Sequence, residues 1–163
     1  MLALIQSAIG AAQRAIAALE TAQPLAQLAA RLYVAQVFFA SGLTKLRDWE
    51  TTLALFEDEY QVPLLSPALA ATLGTAGELV LPVLLALGLA GRFAAAGLFV
   101  VNAVAVISLA EIAPAALQQH VFWGSLLIAL VLWGPGRWSL DRWLVPRLLA
   151  GTPDAHAGYT RAA

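Results

Sequence analysis

The chain contains no cysteine. Disulfides, thiolate metal sites, CxxC redox chemistry and thioether haem attachment are thereby excluded. Histidine is nearly as scarce, with only His120 and His156 present. Of the two, His120 alone falls in an apolar segment, so no pair of buried imidazoles is available to hold a haem. No His, Asp and Glu spacing matches a zinc or copper site. No acid lies near His120 in sequence to build a serine–histidine–acid arrangement. Neither haem nor metal is expected. Charge is sparse as well: 12% of 163 residues, with a net charge of -1. That balance offers no field for nucleic acid, and too little polar surface to cover a soluble domain of this length.

What the chain has instead is apolar length, at 61% hydrophobic residues. A membrane span needs about 20 mostly apolar residues, and four segments meet that: 25–44, 67–89, 92–110 and 116–134. Little more than Ala90 and Gly91 separates the second from the third, so those two form a tight antiparallel hairpin. Small residues such as Gly74, Gly77, Gly97 and Gly124 allow the close helix approach that membrane packing favours. The expected fold is all-α, an integral membrane four-helix bundle occupying residues 25–149. GPG at 134–136 lacks the Gly-Lys-Ser/Thr of a phosphate loop and reads as a turn ending the fourth span.

Outside the spans, residues 1–24 carry Leu2, Ile5, Ile9, Ala12, Ile16 and Leu19 at helical spacing. They predict an amphipathic N-terminal helix, lying on the membrane surface or covering the bundle end. The segment lacks a basic n-region and does not read as a signal peptide. Between the first two spans, Trp49, Leu53, Phe56 and Tyr60 recur at helical spacing behind Asp48, a suitable N-cap. They predict a short interfacial helix, closed by the acidic run Glu57, Asp58 and Glu59. Residues 150–163 are expected to be a disordered tail. Arg14, Arg31, Arg92, Arg137, Arg142, Arg147 and Arg161 fall on the side shared by both termini, against Lys45 and Arg47 opposite. The positive-inside rule therefore puts both termini in the cytoplasm.

Glu78 stands near the middle of an otherwise apolar run, where an unpaired charge costs several kcal/mol. Such a residue faces the bundle interior, pairs with something or stays protonated. Arg31, Ala35, Phe38, Gly42 and Lys45 share one face of the first span. Arg31 is the preferred partner of Glu78, since Lys45 would have to reach further. Asn102 lies at nearly the depth of Glu78, and His120 near the outer end of the fourth span with Gln118 and Gln119. Two readings stay open: a buried Arg31–Glu78–Asn102 lock that fixes helix register, or a polar cavity for a quinone headgroup, with His120 as donor or proton relay.

The segments RLYVAQVFFASGLTKL (31–46), ATLGTAGELVLPVLLALGLAGR (71–92) and GPGRWSLD (134–141) resemble the DoxX family, over about Arg31 to Leu144. The resemblance implies a multi-pass protein of the bacterial inner membrane. Some relatives are named for a subunit of a thiosulfate:quinone oxidoreductase, or are linked to membrane oxidoreductase assemblies in oxidative or thiol stress. Others accompany gene clusters for metal-binding modified peptides, which suggests metal homeostasis. By motif position the residues to follow are Arg31, Ser41, Gly42, Lys45, Glu78, Gly91 and Arg92; Asn102 and His120 rest on the residue-level reading. With no cysteine, any thiol chemistry belongs to a partner. The expected function is an accessory or quinone-interacting subunit of a membrane redox or stress-response system. The expected partners are the lipid bilayer and another membrane protein, with homo-oligomerisation left open. The alternative is a non-enzymatic scaffold or small transporter whose acidic loop, Glu57 to Glu59, receives a metal-bearing peptide.

Overall fold

The computed structural model describes residues 1–149, and among these the chain is helical, without a strand. The expected tail, with His156 and Arg161, lies outside the described residues. Six helices follow in order: α1 (Leu2–Arg47), α2 (Trp49–Asp58), α3 (Pro67–Leu87), α4 (Gly91–Ile107), α5 (Pro114–Trp133) and α6 (Asp141–Leu149).

The first difference from expectation is α1. Residues 1–24 and the first apolar segment form one helix of 46 residues, with Pro24 inside it, about 70 Å long at 1.5 Å per residue. Proline removes one backbone bond, that to the carbonyl of Glu20, and crowds it. The alanine-rich flanks, among the best helix formers, carry the helix through. Its N-terminal third does not fold over the bundle end: Leu2, Ile16 and Leu19 are 77%, 54% and 71% exposed.

Asp48 ends α1 and caps α2, its carboxylate accepting from the Thr51 N–H (3.0 Å) and hydroxyl (2.7 Å). Those bonds favour the charged form and hold the Asp48 carboxyl below its ordinary range. The expected face of α2 packs on α3, with Trp49, Leu53, Phe56 and Tyr60 against Ala70 and Ala71. The Gln61 N–H then donates to the Ser108 carbonyl at 2.8 Å, fastening the end of this segment to the C-terminus of α4.

The α3–α4 hairpin turns where expected. Gly88 adopts φ 67°, and the N–H groups of Gly88 and Leu89 return to the carbonyls of Leu85 and Leu84, a Schellman closure that needs a residue free of Cβ strain. Pro114 opens α5, where a missing N–H costs nothing.

The four long helices form a ring in which α1 packs on α3, α3 on α4, α4 on α5 and α5 on α1. Val34, Phe38, Leu85, Ala95, Leu98 and Leu127 fill its centre. The polarity is inverted relative to a water-soluble bundle. Arg31, Glu78 and Asn102 are buried, while Phe39, Val80, Phe93, Val100, Phe122 and Ile128 are exposed. α3 and α5 are long and apolar enough to cross a membrane, and only 33% and 17% of their apolar windows is buried. The apolar α4 is shorter, at 17 residues.

Candidate functional site

The buried polar residues do not form the single Arg31–Glu78–Asn102 group that their depths suggested. They form three separate constellations.

Arg31, 2% exposed, does not reach Glu78. Its guanidinium donates through Nε to the Leu85 carbonyl (3.1 Å), through Nη2 to that of Ala86 (2.7 Å), and through Nη1 to those of Trp138 (3.0 Å) and Pro135. The last carbonyls of α3 carry its negative dipole end, and that of Leu85 accepts from the Gly88 N–H as well. A planar fork with five donors suits them as an ammonium cannot. Leu85 lies seven residues along α3 from Glu78, about 10 Å, so the cation is consumed nearly two turns from the acid. Arg31 is a structural clasp joining α1, the end of α3 and the segment after α5.

Glu78 takes Lys45 instead. Lys45 Nζ lies 2.6 Å from Glu78 Oε2 and donates to Ser41 Oγ at 2.9 Å, and Ser41 donates in turn to Glu78 Oε1 at 3.2 Å. The reach expected to disfavour Lys45 is removed by close packing at Gly42. A Cβ there would lie 2.9 Å from Leu79 Cγ and 3.1 Å from Glu78 Cβ, so a larger residue would hold α1 and α3 apart. Lys45 keeps one donor beyond these two bonds. One turn from Glu78, the hydroxyl of Thr75 is buried without a hydrogen-bond partner among the described residues. Burial, with the charges of Glu59 and Glu78, pushes the Tyr60 phenol above its ordinary pKa, so it stays protonated.

Asn102 pairs with His120 across α4 and α5. Its Nδ2 donates to the His120 carbonyl (3.0 Å), and its Oδ1 lies 2.9 Å from His120 Nδ1. A carbonyl can only accept, which fixes the amide orientation. Oδ1 then faces the ring, so Nδ1 carries the proton. In the neutral imidazole Nε2 is left as an acceptor. His120 lies edge-on to Trp123, with ring centroids 5.1 Å apart. Trp123 meets Phe38 of α1 edge-on at 6.0 Å, and its indole N–H donates to the Tyr33 hydroxyl at 3.3 Å. Ala115, Ala116, Gln119, His120 and Trp123 line an open groove of about 320 Å³. Gln118 is exposed and outside that lining. Val101 abuts Gly77, so Asn102 and Glu78 stand at neighbouring levels, though each is bonded to a different helix.

Sequence reasoning missed Asp141. Its carboxylate accepts from the N–H groups of Ala90 (2.7 Å) and Gly91 (2.8 Å) at the start of α4. Leu140 and Asp141 also donate to the carbonyls of Leu87 and Gly88. GPG at 134–136 ends α5 as expected, and Leu140 and Asp141 beyond it brace the α3–α4 hairpin, to which Gly91 belongs through its N–H. Arg92 reaches the Leu132 carbonyl only weakly, at 3.4 Å. The one sequence signal was an acid opening a short helix, which caps locally as a rule. Asp141→Ala should lower stability by about 1–2 kcal/mol, measured by unfolding in mild detergent; an unchanged midpoint would show the brace to be idle.

Among the described residues no group of three His, Asp or Glu side chains is placed to hold a metal ion. Glu57, Asp58 and Glu59 are all exposed at the end of α2. No curated protein and no solved structure matches the chain. The DoxX family model matches residues 26–111, which include Arg31, Lys45, Glu78 and Asn102 but stop short of His120 and Asp141. On that match, over more than half its length, the chain belongs to the DoxX family.

Proposed function

We propose that the chain is a four-helix protein of the bacterial inner membrane, with both termini cytoplasmic, serving a membrane redox or stress-response system as an accessory subunit that holds a quinone headgroup. The inverted polarity of the bundle supports the membrane reading, as do two helices of spanning length and character and the family match.

The observation that carries the ligand reading is His120. Asn102 occupies Nδ1 and leaves Nε2 without a hydrogen-bond partner among the described residues, and His120 lines a groove beside an indole. A bound quinone would supply two-electron, two-proton redox chemistry. The chain's part is to present a ring nitrogen of fixed tautomer, accepting when neutral and donating when protonated. The aromatic edge of Trp123 suits a flat ring, and the Nδ1 bond to Asn102 Oδ1 keeps the His120 ring from turning away. The ion pair of Lys45 and Glu78 stands at the neighbouring level, with a donor to spare.

Titration with a short-chain benzoquinone, followed by tryptophan quenching in nanodiscs, tests this. Saturable quenching is expected, weakened at least tenfold in His120→Leu and several-fold in Asn102→Ala, which frees the tautomer. Equal binding by wild type and His120→Leu would remove the site and favour the scaffold reading.

A further inference from the structure

From the last residue of α5 onward the chain repeats one pattern: Trp133, then Arg137–Trp138, Arg142–Trp143 and Arg147. The three tryptophans are 64%, 57% and 66% exposed, and all three arginines are exposed. Among the described residues none of these arginines has an acidic partner within ion-pair distance. The only acid between residues 133 and 149 is Asp141, and both its oxygens are engaged by the α4 N-terminus. Arg147 lies 5.6 Å over the Trp143 ring, which orients the guanidinium on an aromatic face. The segment is anchored to the hairpin by the Leu140 and Asp141 backbone bonds, and to α1 by the Arg31 bonds to Pro135 and Trp138. Free cations and large exposed indoles are thus held on a braced platform at one end of the bundle.

We infer that this platform binds the phosphates of anionic phospholipids, with Arg137, Arg142 and Arg147 taking the headgroups and Trp133, Trp138 and Trp143 seated at headgroup depth. Guanidinium forks match phosphate oxygens in pairs. Indoles prefer the boundary where one edge is apolar and the other wet. The inference rests on the membrane reading above. Each arginine near an anionic surface strengthens attraction about fivefold, and three together on the order of a hundredfold.

The test uses the full chain in nanodiscs of phosphatidylcholine alone or mixed with phosphatidylglycerol, reading retained lipid by native mass spectrometry and the unfolding midpoint. Wild type should retain phosphatidylglycerol selectively and unfold at higher temperature in its presence. The variant R137Q/R142Q/R147Q should lose both effects while remaining helical and monodisperse. The corresponding triple lysine variant should keep a smaller preference. Arg14→Gln, on the exposed N-terminal part of α1, should change nothing. A wild type without lipid preference, or a glutamine variant that keeps it, overturns the inference. A carbonate wash separates the two levels: protein that stays in the membrane without lipid preference refutes this site alone, whereas protein released without detergent refutes the membrane reading and this site with it.

Discussion

Arg31→Met should unfold much of the protein at temperatures where the wild type is intact. The methionine fills similar volume but donates to nothing. The carbonyls of Ala86, Pro135 and Trp138 would lose the guanidinium, and that of Leu85 would keep only the Gly88 N–H. Each stranded acceptor costs about 1–3 kcal/mol, so the three together cost about 3 kcal/mol or more, against a total stability of about 5–15 kcal/mol for most domains. Arg31→Lys keeps the charge and loses the fork. An ammonium with three donors cannot span four carbonyls that belong to two chain segments, so lysine should recover less than half of the loss. Helicity and tryptophan emission during titration with sodium dodecyl sulfate measure both variants. A methionine variant within about 1 kcal/mol of wild type would mean that these carbonyls find other donors.

The second large effect is expected at Glu78. Glu78→Ala leaves Lys45 as an unpaired cation beside the apolar interior. Removing one partner of a buried pair costs about 3–5 kcal/mol, whereas removing both is often close to neutral. The Lys45 side chain is 22% exposed and its stem can carry the ammonium outward, so about 2–3 kcal/mol is the expected loss here. Glu78→Ala combined with Lys45→Met should be more stable than Glu78→Ala alone. Adding Arg31→Leu to Glu78→Ala should instead be worse than either change by itself, because Arg31 serves other acceptors. The unfolding midpoints of these variants in one bilayer composition decide the pairing, and rescue by Arg31→Leu would reverse it.

Part of this architecture is legible in the sequence for simple reasons. Glu78 stands out because nothing near it in the chain is polar, so its need for a partner follows from composition alone. Asp48 announces α2 because an N-cap acts three residues away. The α3–α4 turn is visible because Gly88 and the two residues before Arg92 leave no room for a longer connection. The partners were less legible. Depth along a helix suggested Arg31 for Glu78, but depth does not reveal that the end of α3 presents its carbonyls to a guanidinium, since carbonyls leave no mark in a sequence. Asn102 and His120 are 18 residues apart on different helices, and their meeting depends on the rotation of α4 against α5. Asp141 acts on Ala90, 51 residues away, through a fold of the chain after α5 that a turn motif cannot foretell. The continuity of α1 through Pro24 is a contest between one lost bond and many alanines. A rule that ends helices near proline decides it the wrong way.

The three constellations also divide the labour. Arg31 and Asp141 hold the ends of helices at one pole of the bundle. Near the opposite pole, Lys45–Glu78 and Asn102–His120 place ionisable groups at neighbouring levels inside an apolar shell. The first pair of residues is committed to backbone: four of the five Arg31 donors and both Asp141 oxygens are engaged there. The second level keeps a lysine donor, a Thr75 hydroxyl unpartnered among the described residues and a histidine nitrogen, which is where a ligand reading belongs.

The most direct measurement is the quinone content of protein drawn from its own membrane in native nanodiscs, extracted and quantified by mass spectrometry, for wild type and His120→Leu side by side. Near-stoichiometric quinone in the wild type, lost in the variant while helicity and midpoint hold, is the predicted result. Quinone absent from both samples, or present equally in both, would contradict a headgroup site at His120 and leave the polar level as a device for fixing helix register.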